Sequence, residues 1–407
     1  MTSNTTRRRF LQAGALATGI GLAGCTGVLD GADDYEVWAL DQGTGIGYIY
    51  EPDEGSDEEF SLLDTIDFGA YGGDVPHMVD FSSDDEYAAI ACTAGARTIV
   101  VRCEDREVVG NIETGPGSHF AGFGPDDSFI QVDVIGEGKI KRIDVDLEDE
   151  TFGLDGEIDV ISADAVQAKI DDFSVRQSDD GDEFLSPVCH DYANGVSYHT
   201  LGPGHGNAGL VVVSVDDFEI VEAFPPTEIP VNCGTIAHPD ENKFYLTAGL
   251  PSNPDEDAEG LGEYFVLDSE SHDVIERGDT GGIDAHGFWF TAGDSELWVL
   301  NRETNDGLVI DPETDEVIDE IDAFGPEQGD EPDTSDAPDI MWGSPDDQYM
   351  FVTLRGSNPV SGAPHAATGV NPGFSVMDVE SREIQEVIQP DPDNEDSDFH
   401  GIGVRRT

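Results

Sequence analysis

The chain has 407 residues, and its 88 Asp and Glu outnumber 18 Lys and Arg, which gives a formal net charge of −70. Clusters of Lys and Arg that could bind phosphates are missing, so the composition excludes nucleic acid as a partner. At molar salt the Debye length falls to ~3 Å, which screens the repulsion among these carboxylates. The acidity therefore favours halophilic adaptation spread over the surface. An acidic docking face or a bank of Ca²⁺ sites is the alternative.

The first 25 residues are predicted to be an export signal. Residues 6–12 read TRRRFLQ, a twin-arginine motif, and the apolar stretch that follows is too short to span a bilayer permanently. Residues 22–25 read LAGC and resemble a lipobox. The pair resembles the signal of Tat-dependent lipoproteins. This resemblance implies export and a lipid on Cys25 that anchors the chain to the outer face of the cytoplasmic membrane.

The remaining chain is predicted to hold an acidic linker over residues 26–34 and one folded domain over 35–407. After His77 the pattern predicts four short strands, over residues 77–81, 87–92, 98–101 and 108–113, separated by polar turns. A single helix is predicted around residues 162–172. No second apolar stretch approaches ~18 residues, so no transmembrane helix is expected.

The segment that opens at His77 recurs along the chain. An apolar residue follows four positions after the opening residue, and an acidic turn follows at seven and eight. The other openings are His119, Cys233, His286, Asp339 and His400, at intervals of 42, 114, 53, 53 and 61 residues. The interval of 114 predicts a further copy near residues 187–190. Repeats of ~40–50 residues built from short strands are typical of propeller blades.

The two ends of the domain complement each other. Residues 35–42, 46–50 and 60–68 are predicted to form the last three strands of a blade, and residues 399–405 a first strand with nothing after it. Pairing of these ends would close the ring and remove its free edges. The sequence therefore predicts an all-β, seven-bladed propeller closed by the C-terminal strand.

The turns after the first strands carry a resemblance to a known family. Residues 125–127, 239–241 and 345–347 read PDD, PDE and PDD, and they are similar to the Ser-Pro-Asp-Gly turn of YVTN-type, WD40-like propellers. The resemblance covers most of residues 35–407. Together with the acidity and the export signal, the chain resembles a secreted haloarchaeal lipoprotein, which implies architecture more than activity.

Most of the ten histidines are predicted to lie on one rim of the propeller, where first strands begin and the loops after second strands lie. The predicted rim residues are His77, His119, His190, His199, His205, His286, His365 and His400, with Cys233 and Asp339. His238 and His272 fall on the opposite face. Imidazole, thiolate and carboxylate together suit Zn or Cu, whereas Ca²⁺ would need oxygen donors. A transition-metal site is therefore predicted, the alternative being polar residues that line a wet channel.

Two propeller families are similar in this respect. Nitrous oxide reductases place a copper cluster among histidines at the propeller centre, but this chain lacks paired neighbouring histidines and a cupredoxin domain, so the resemblance does not imply reductase activity. Zinc metallochaperones that accompany periplasmic zinc transporters are also exported single-domain propellers with histidine sites. The latter resemblance implies delivery of a metal to a membrane transporter.

Motifs for catalysis are missing from the sequence. It contains no Gly-x-Ser-x-Gly elbow, no Walker-type loop and no Cys-x-x-Cys-His haem site, so no enzymatic activity is expected. Four cysteines remain after Cys25. Cys189 and Cys233 are expected on neighbouring inner strands, where they could form a disulfide; buried thiols are the alternative for these two and for Cys92 and Cys103.

These observations predict an exported, lipid-anchored, monomeric propeller that binds Zn or Cu at its inner rim. We expect it to hand the metal to a membrane transporter or another cell-surface protein. The alternative function is a non-catalytic surface scaffold whose top face docks a protein or a polymer.

Overall fold

The computed structural model describes residues 34–53, 59–178, 180–202, 208–231, 234–253, 258–329 and 332–407. These residues form seven four-stranded antiparallel sheets and one two-stranded ribbon. The innermost strands of the seven sheets contact one another in a closed cycle, which defines a seven-bladed propeller. The predicted fold class and blade number are confirmed. Within the described residues, no helix has the length and apolarity needed to cross a membrane.

The first three blades take the following strands, and strand A is the innermost in each. Blade 1 consists of β30 (Phe399–Arg406), β1 (Tyr35–Asp41), β2 (Ile46–Pro52) and β3 (Phe60–Asp67). Blade 2 consists of β4 (Pro76–Phe81), β5 (Tyr87–Cys92), β6 (Arg97–Arg102) and β7 (Glu107–Glu113). Blade 3 consists of β8 (Ser118–Phe123), β9 (Phe129–Val134), β10 (Lys139–Asp146) and β11 (Thr151–Asp159).

The other four blades follow a small ribbon of β12 (Arg176–Gln177) and β13 (Glu183–Phe184). Blade 4 consists of β14 (Ser186–Ala193), β15 (Val196–Gly202), β16 (Leu210–Ser214) and β17 (Ile220–Phe224). Blade 5 consists of β18 (Thr235–Ala237), β19 (Lys243–Leu250), β20 (Leu261–Asp268) and β21 (Val274–Asp279). Blade 6 consists of β22 (Ala285–Phe290), β23 (Leu297–Asn301), β24 (Asp306–Asp311) and β25 (Glu316–Ile321). Blade 7 consists of β26 (Pro338–Gly343), β27 (Tyr349–Leu354), β28 (Gly373–Asp378) and β29 (Ile384–Ile388).

The residue pattern of each strand follows its place in the blade. Strand β5, sequence YAAIAC, lies second in its sheet and is buried along its whole length. Strand β25, sequence EVIDEI, is the outermost strand of blade 6, and only its last residue is buried. Apolar runs therefore mark strands covered on both faces, and charged runs mark outer edges that must resist pairing with other chains.

The acidic turn of the repeat has a backbone explanation. One residue of the turn between strands A and B adopts a left-handed conformation in four blades: Asp85 (φ 62°), Asp127 (φ 59°), Asp294 (φ 54°) and Asp347 (φ 63°). Aspartate tolerates this region better than most residues because its short side chain bonds to nearby backbone. The turn therefore selects the acidic residue that made the repeat visible in the sequence.

The C-terminal strand closes the ring as predicted. Strand β30 pairs with β1 from Tyr35 opposite Arg406 to Asp41 opposite Phe399. The guanidinium Nε of Arg405 donates a 2.8 Å hydrogen bond to Oε2 of Glu36, and both residues are buried. The two ends of the domain are thereby joined by a ladder and by an ion pair.

The helical prediction was too long. The segment contains a 3₁₀ turn at Val160–Ser162, the helix α1 at Asp164–Gln167 and a second 3₁₀ turn at Ile170–Asp172. Its apolar spacing is weak, and short segments without a continuous apolar face do not sustain a longer helix. Further helical turns occur at Phe68–Tyr71 and Pro332–Thr334, and a second short helix, α2, at Pro364–Ala367; these were not predicted.

The closure of the ring predicts the effect of a truncation. A chain that ends at Asp398 lacks β30 and leaves β1 as an open edge. We expect its thermal midpoint in molar salt to fall by roughly 10 °C or more, followed by circular dichroism. A chain that ends at Arg405 serves as the control and should unfold near the midpoint of the full chain. Equal midpoints for both truncations would contradict this role of β30.

Candidate metal centre

Irregularities in strand A aim the rim residues at the channel. The pairing register of strands A and B shifts between Pro76 and Met78 in blade 2 and between Ser118 and Phe120 in blade 3. His77 and His119 are the residues left out. Corresponding shifts surround His286, Asp339 and His400 in blades 6, 7 and 1. Such bulges redirect side chains and are frequent next to functional sites.

Glycine lets neighbouring inner strands approach closely at this level. A Cβ on Gly401 would lie 2.5 Å from the carbonyl oxygen of His77, and a Cβ on Gly287 would lie 2.7 Å from that of Asp339. Both distances are shorter than a carbon–oxygen contact allows. The residue after the rim position is therefore glycine where strand A meets the next blade, and this brings rim side chains together.

Four predicted rim histidines from four blades meet in the structure. The rings of His77 and His400 stack with centroids 3.6 Å apart, and those of His77 and His119 are 4.3 Å apart. The ring of His400 lies 6.3 Å from His119 and 6.4 Å from His286. We call these four histidines together with Asp339 the rim cluster.

Two of these histidines present the same kind of atom to each other. Nδ1 of His77 lies 2.7 Å from Oε1 of Gln42, and Nδ1 of His119 lies 2.9 Å from the carbonyl oxygen of Val188. Oxygens of this kind only accept hydrogen bonds, so both Nδ1 atoms carry hydrogen. The Nε2 atoms of the two neutral rings then hold lone pairs, and they lie 2.9 Å apart. A cation between them would turn this repulsion into attraction.

Burial keeps the rings of the rim cluster neutral. It lowers the pKa of His119 to about 4, and it lowers the pKa values of His77 and His400 well below the ordinary range for histidine. A neutral imidazole is the form that coordinates metal ions. At neutral pH the facing nitrogens are therefore available as ligands.

His400 is oriented in the same way as its neighbours. Its Nδ1 lies 3.1 Å from the carbonyl oxygen of His77, so Nδ1 carries hydrogen and Nε2 faces Asp339, whose Oδ2 is 3.6 Å away. Nε2 of His286 lies 2.9 Å from Oδ1 of the same carboxylate. The donor atoms of His286, Asp339 and His400 fall within 4.8 Å of one another and could hold a metal ion.

Two buried arginines, which the sequence reasoning missed, hold Asp339. Arg355 Nη1 lies 2.5 Å from its Oδ2, and Arg302 Nη1 lies 3.2 Å from its Oδ1. Although burial alone would raise it, the pKa of Asp339 is held well below its ordinary value by His400 and by these guanidinium groups. Its charge is thus largely compensated inside the protein, which suits a role in orienting His286 and His400.

A second group lies between blades 3 and 4. The donor atoms of Asp133, His190 and His199 also fall within 4.8 Å of one another and could hold a metal ion. However, Nδ1 of each histidine lies 2.6 Å from an Asp133 oxygen, which is a hydrogen-bond distance. Their Nε2 atoms lie 3.2 Å from the hydroxyl of Tyr192 and 2.9 Å from that of Ser197. This group is satisfied by hydrogen bonds alone, in contrast to the pair of His77 and His119.

His190 and His199 were expected on the rim, and the structure places them elsewhere. In blade 4 the register shift lies between Pro187 and His190, so Val188 takes the rim position. The side chain of His190 is two residues further along and points into the interface between blades. The repeat carries no marker at Val188, which is why the sequence suggested the nearby histidine.

Other predicted site residues lie away from the rim cluster or outside the described residues. His365 is on α2, its side chain is 34% exposed, and its Nε2 lies 3.4 Å from Glu303. Cys233, His205 and the lipidation residue Cys25 fall outside the described residues, as does the predicted disulfide partner of Cys189. Cys92 and Cys103 are buried thiols whose pKa is raised by burial.

Comparison with known proteins supports the fold. No protein-family model matches the chain, and no curated protein matches it in sequence. Among solved structures, the chain is similar to the Dos1 propeller (TM-score 0.53, 12% identity, covering 88% of this chain and 80% of that one). It is also similar to the dihydro-heme d1 dehydrogenase NirN (TM-score 0.51, 11% identity, covering 90% and 74%) and to the hydrazine synthase of Kuenenia stuttgartiensis (TM-score 0.50, 13% identity, covering 80% and 86%). At such identities the likeness shows a shared propeller fold alone.

A buried carboxyl below the rim gives a pH-dependent prediction. Asp80, three residues after His77, accepts a 2.8 Å hydrogen bond from the backbone N–H of Phe123, and burial raises its pKa to about 7. The folded state thus binds more protons than the unfolded state between about pH 4 and 7, so the unfolding free energy falls as pH rises through this window.

We therefore expect Asp80→Asn to stabilise the protein above pH 7, by on the order of 2–4 kcal/mol, and to change little at pH 4. Urea unfolding at fixed high salt and a series of pH values measures this difference. Asp217→Asn, in an exposed turn, is the control and should show the pH profile of the native chain. A profile for Asp80→Asn that parallels the native one would contradict the assignment.

Proposed function

We propose that the protein binds a transition metal ion, Zn or Cu, at the rim cluster and hands it to a partner at the cell surface. The single observation that carries the proposal is the contact between Nε2 of His77 and Nε2 of His119, 2.9 Å apart, while both Nδ1 atoms bond to acceptors. This arrangement has one hydrogen too few and needs a cation.

A metal ion meets this need better than a proton. Burial lowers the pKa of both rings, which disfavours an imidazolium at neutral pH. Metal–nitrogen bonds of ~2.0–2.1 Å to two atoms 2.9 Å apart give an angle of about 90° at the metal. His400 stacks on His77 and offers its Nε2 from a third blade. The donors are nitrogen atoms of intermediate softness, which Zn and Cu accept.

The rest of the proposed function follows from the sequence. The twin-arginine motif and the lipobox support export and a lipid anchor on Cys25, and the acidity supports a saline environment. An anchored propeller with a partly exposed metal site suits delivery to a membrane transporter or to another surface protein. We assign no reaction to the site, because the rim cluster contains ligands and their supports and no activated nucleophile.

Metal analysis of the mature chain, purified in molar salt, tests this function. We expect close to one Zn or Cu per chain after loading and dialysis. His77→Ala, His119→Ala and His286→Ala remove or destabilise ligands, so each should weaken the affinity by about 100-fold or more for the first two and about 10-fold or more for the third. Elemental analysis and competition with a chelator of known affinity measure both quantities.

His238→Ala is the matched control. Its ring lies in the turn of blade 5, where Nδ1 accepts hydrogen bonds from backbone N–H groups of Asp240 and Glu241. This variant should keep the native metal content. A native chain that retains neither Zn nor Cu, or histidine variants that bind as well as His238→Ala, would refute the metal function.

A further inference from the structure

Gln42 lies directly after β1 and touches the rim cluster from behind. Its side chain is buried, with Oε1 2.7 Å from Nδ1 of His77 and Nε2 2.9 Å from Oδ2 of Asp398. It also contacts the hydroxyl of Ser361, 3.0 Å from its Nε2. Gln42 therefore connects a ligand of the proposed metal to a buried carboxylate.

The orientation of the Gln42 amide is fixed by Asp398. Arg355 donates to both carboxylate oxygens, with Nε 2.7 Å from Oδ1 and Nη2 2.8 Å from Oδ2, so Asp398 is ionised and can only accept. The NH₂ group of Gln42 must face this carboxylate, because the reverse orientation would set two acceptors 2.9 Å apart. The amide oxygen is thereby turned towards His77.

The orientation of Gln42 in turn fixes the tautomer of His77. An amide oxygen 2.7 Å from Nδ1 requires hydrogen on Nδ1, which leaves the Nε2 lone pair facing His119. Without that oxygen, His77 could carry its hydrogen on Nε2 and donate it to His119. The two rings would then bond to each other, and neither facing nitrogen would be open to a metal.

We propose that Gln42 is a positioning residue that holds His77 in the tautomer required for metal binding and prevents the pair of His77 and His119 from closing on itself. The inference rests on the proposed function. It adds that the affinity of the site depends on a residue that does not touch the metal. Second-layer partners of this kind orient metal-bound histidines in many proteins.

Replacement of Gln42 leaves the buried ion pair in place. Asp398 keeps both bonds to Arg355 and accepts from the backbone N–H of Val360 at 2.8 Å and of Gly356 at 3.2 Å. Gln42→Leu removes the amide with little change in volume. Gln131→Leu is the matched control, since Gln131 is also a buried glutamine between blades and donates to Ser197, away from the rim cluster.

The experiment measures two quantities on the full mature chain in molar salt. Nitrogen-15 spectra of histidine-labelled, metal-free protein report the tautomer of His77, and titration with Zn²⁺ and with Cu⁺ reports affinity. For Gln42→Leu we expect hydrogen on Nε2 of His77 and a 10- to 100-fold loss of affinity. Gln131→Leu should keep hydrogen on Nδ1 and the native affinity.

A conservative variant should rescue the site. In Gln42→Glu a protonated carboxyl can donate to Asp398 and accept from His77, so we expect the native tautomer and an affinity within a few-fold of native. If Gln42→Leu does not fold, Gln42→Met, which keeps the unbranched shape, takes its place in both measurements.

The outcomes separate this inference from the proposed function. Native tautomer and native affinity in Gln42→Leu would overturn the role of Gln42 even though the protein binds metal. If the native chain binds no metal, the proposed function fails, and with it the role in metal binding; the tautomer measured in metal-free protein then shows whether Gln42 still orients His77. A loss of affinity in Gln131→Leu equal to that in Gln42→Leu would also overturn the inference.

Discussion

The buried guanidinium of Arg355 ties the two halves of the rim cluster together. It bonds to Asp339, which holds His286 and His400, and to Asp398, which orients Gln42 and through it His77. Arg355 is completely buried, so both carboxylates face it without competition from water. A charge in this position is stable only when both partners are present, which couples the arrangement of the histidines to the closed ring.

The closing strand and the candidate site are therefore parts of one structure. Asp398 directly precedes β30, His400 lies on it, and Gln42 follows the strand with which β30 pairs. A ligand bound by His77 and His400 would join blade 2 to the strand that closes blade 1. Metal binding and closure should stabilise each other, because a ligand that binds only the folded state shifts the folding equilibrium towards it.

The architecture could be predicted from the sequence because the repeat has a physical cause. Asp85 and Asp127 occupy left-handed turns, and the strands beside them are buried on both faces, so the same pattern must recur in each blade. The frame also found His77, His119, His286 and His400. It failed at His190, because a register shift is set by pairing across strands, which a single strand does not reveal.

The supporting layer was missed for a different reason. Gln42, Arg302 and Arg355 each follow directly after the second strand of a blade, and the sequence was aligned only on first strands. A comparison of the residues that end second strands would have revealed three long polar side chains in equivalent places. Their partners, Asp284, Asp339 and Asp398, could not be picked out among 88 acidic residues without the fold.

The likeness to solved propellers and the geometry of the rim cluster contribute different things. The solved structures establish the fold and leave the ligand open, because propellers of this shape carry unrelated functions. The rim cluster narrows the choice through its hydrogen count, since two neutral imidazoles that face each other require a cation. The account depends on what lies between these two rings.

Anomalous diffraction from crystals of the metal-loaded mature chain, recorded on both sides of the Zn or Cu absorption edge, tests this point most directly. The account predicts one peak within ~2.0–2.1 Å of Nε2 of His77 and of His119. A map without a peak at the rim, or with the metal bound only elsewhere on the acidic surface, would contradict it.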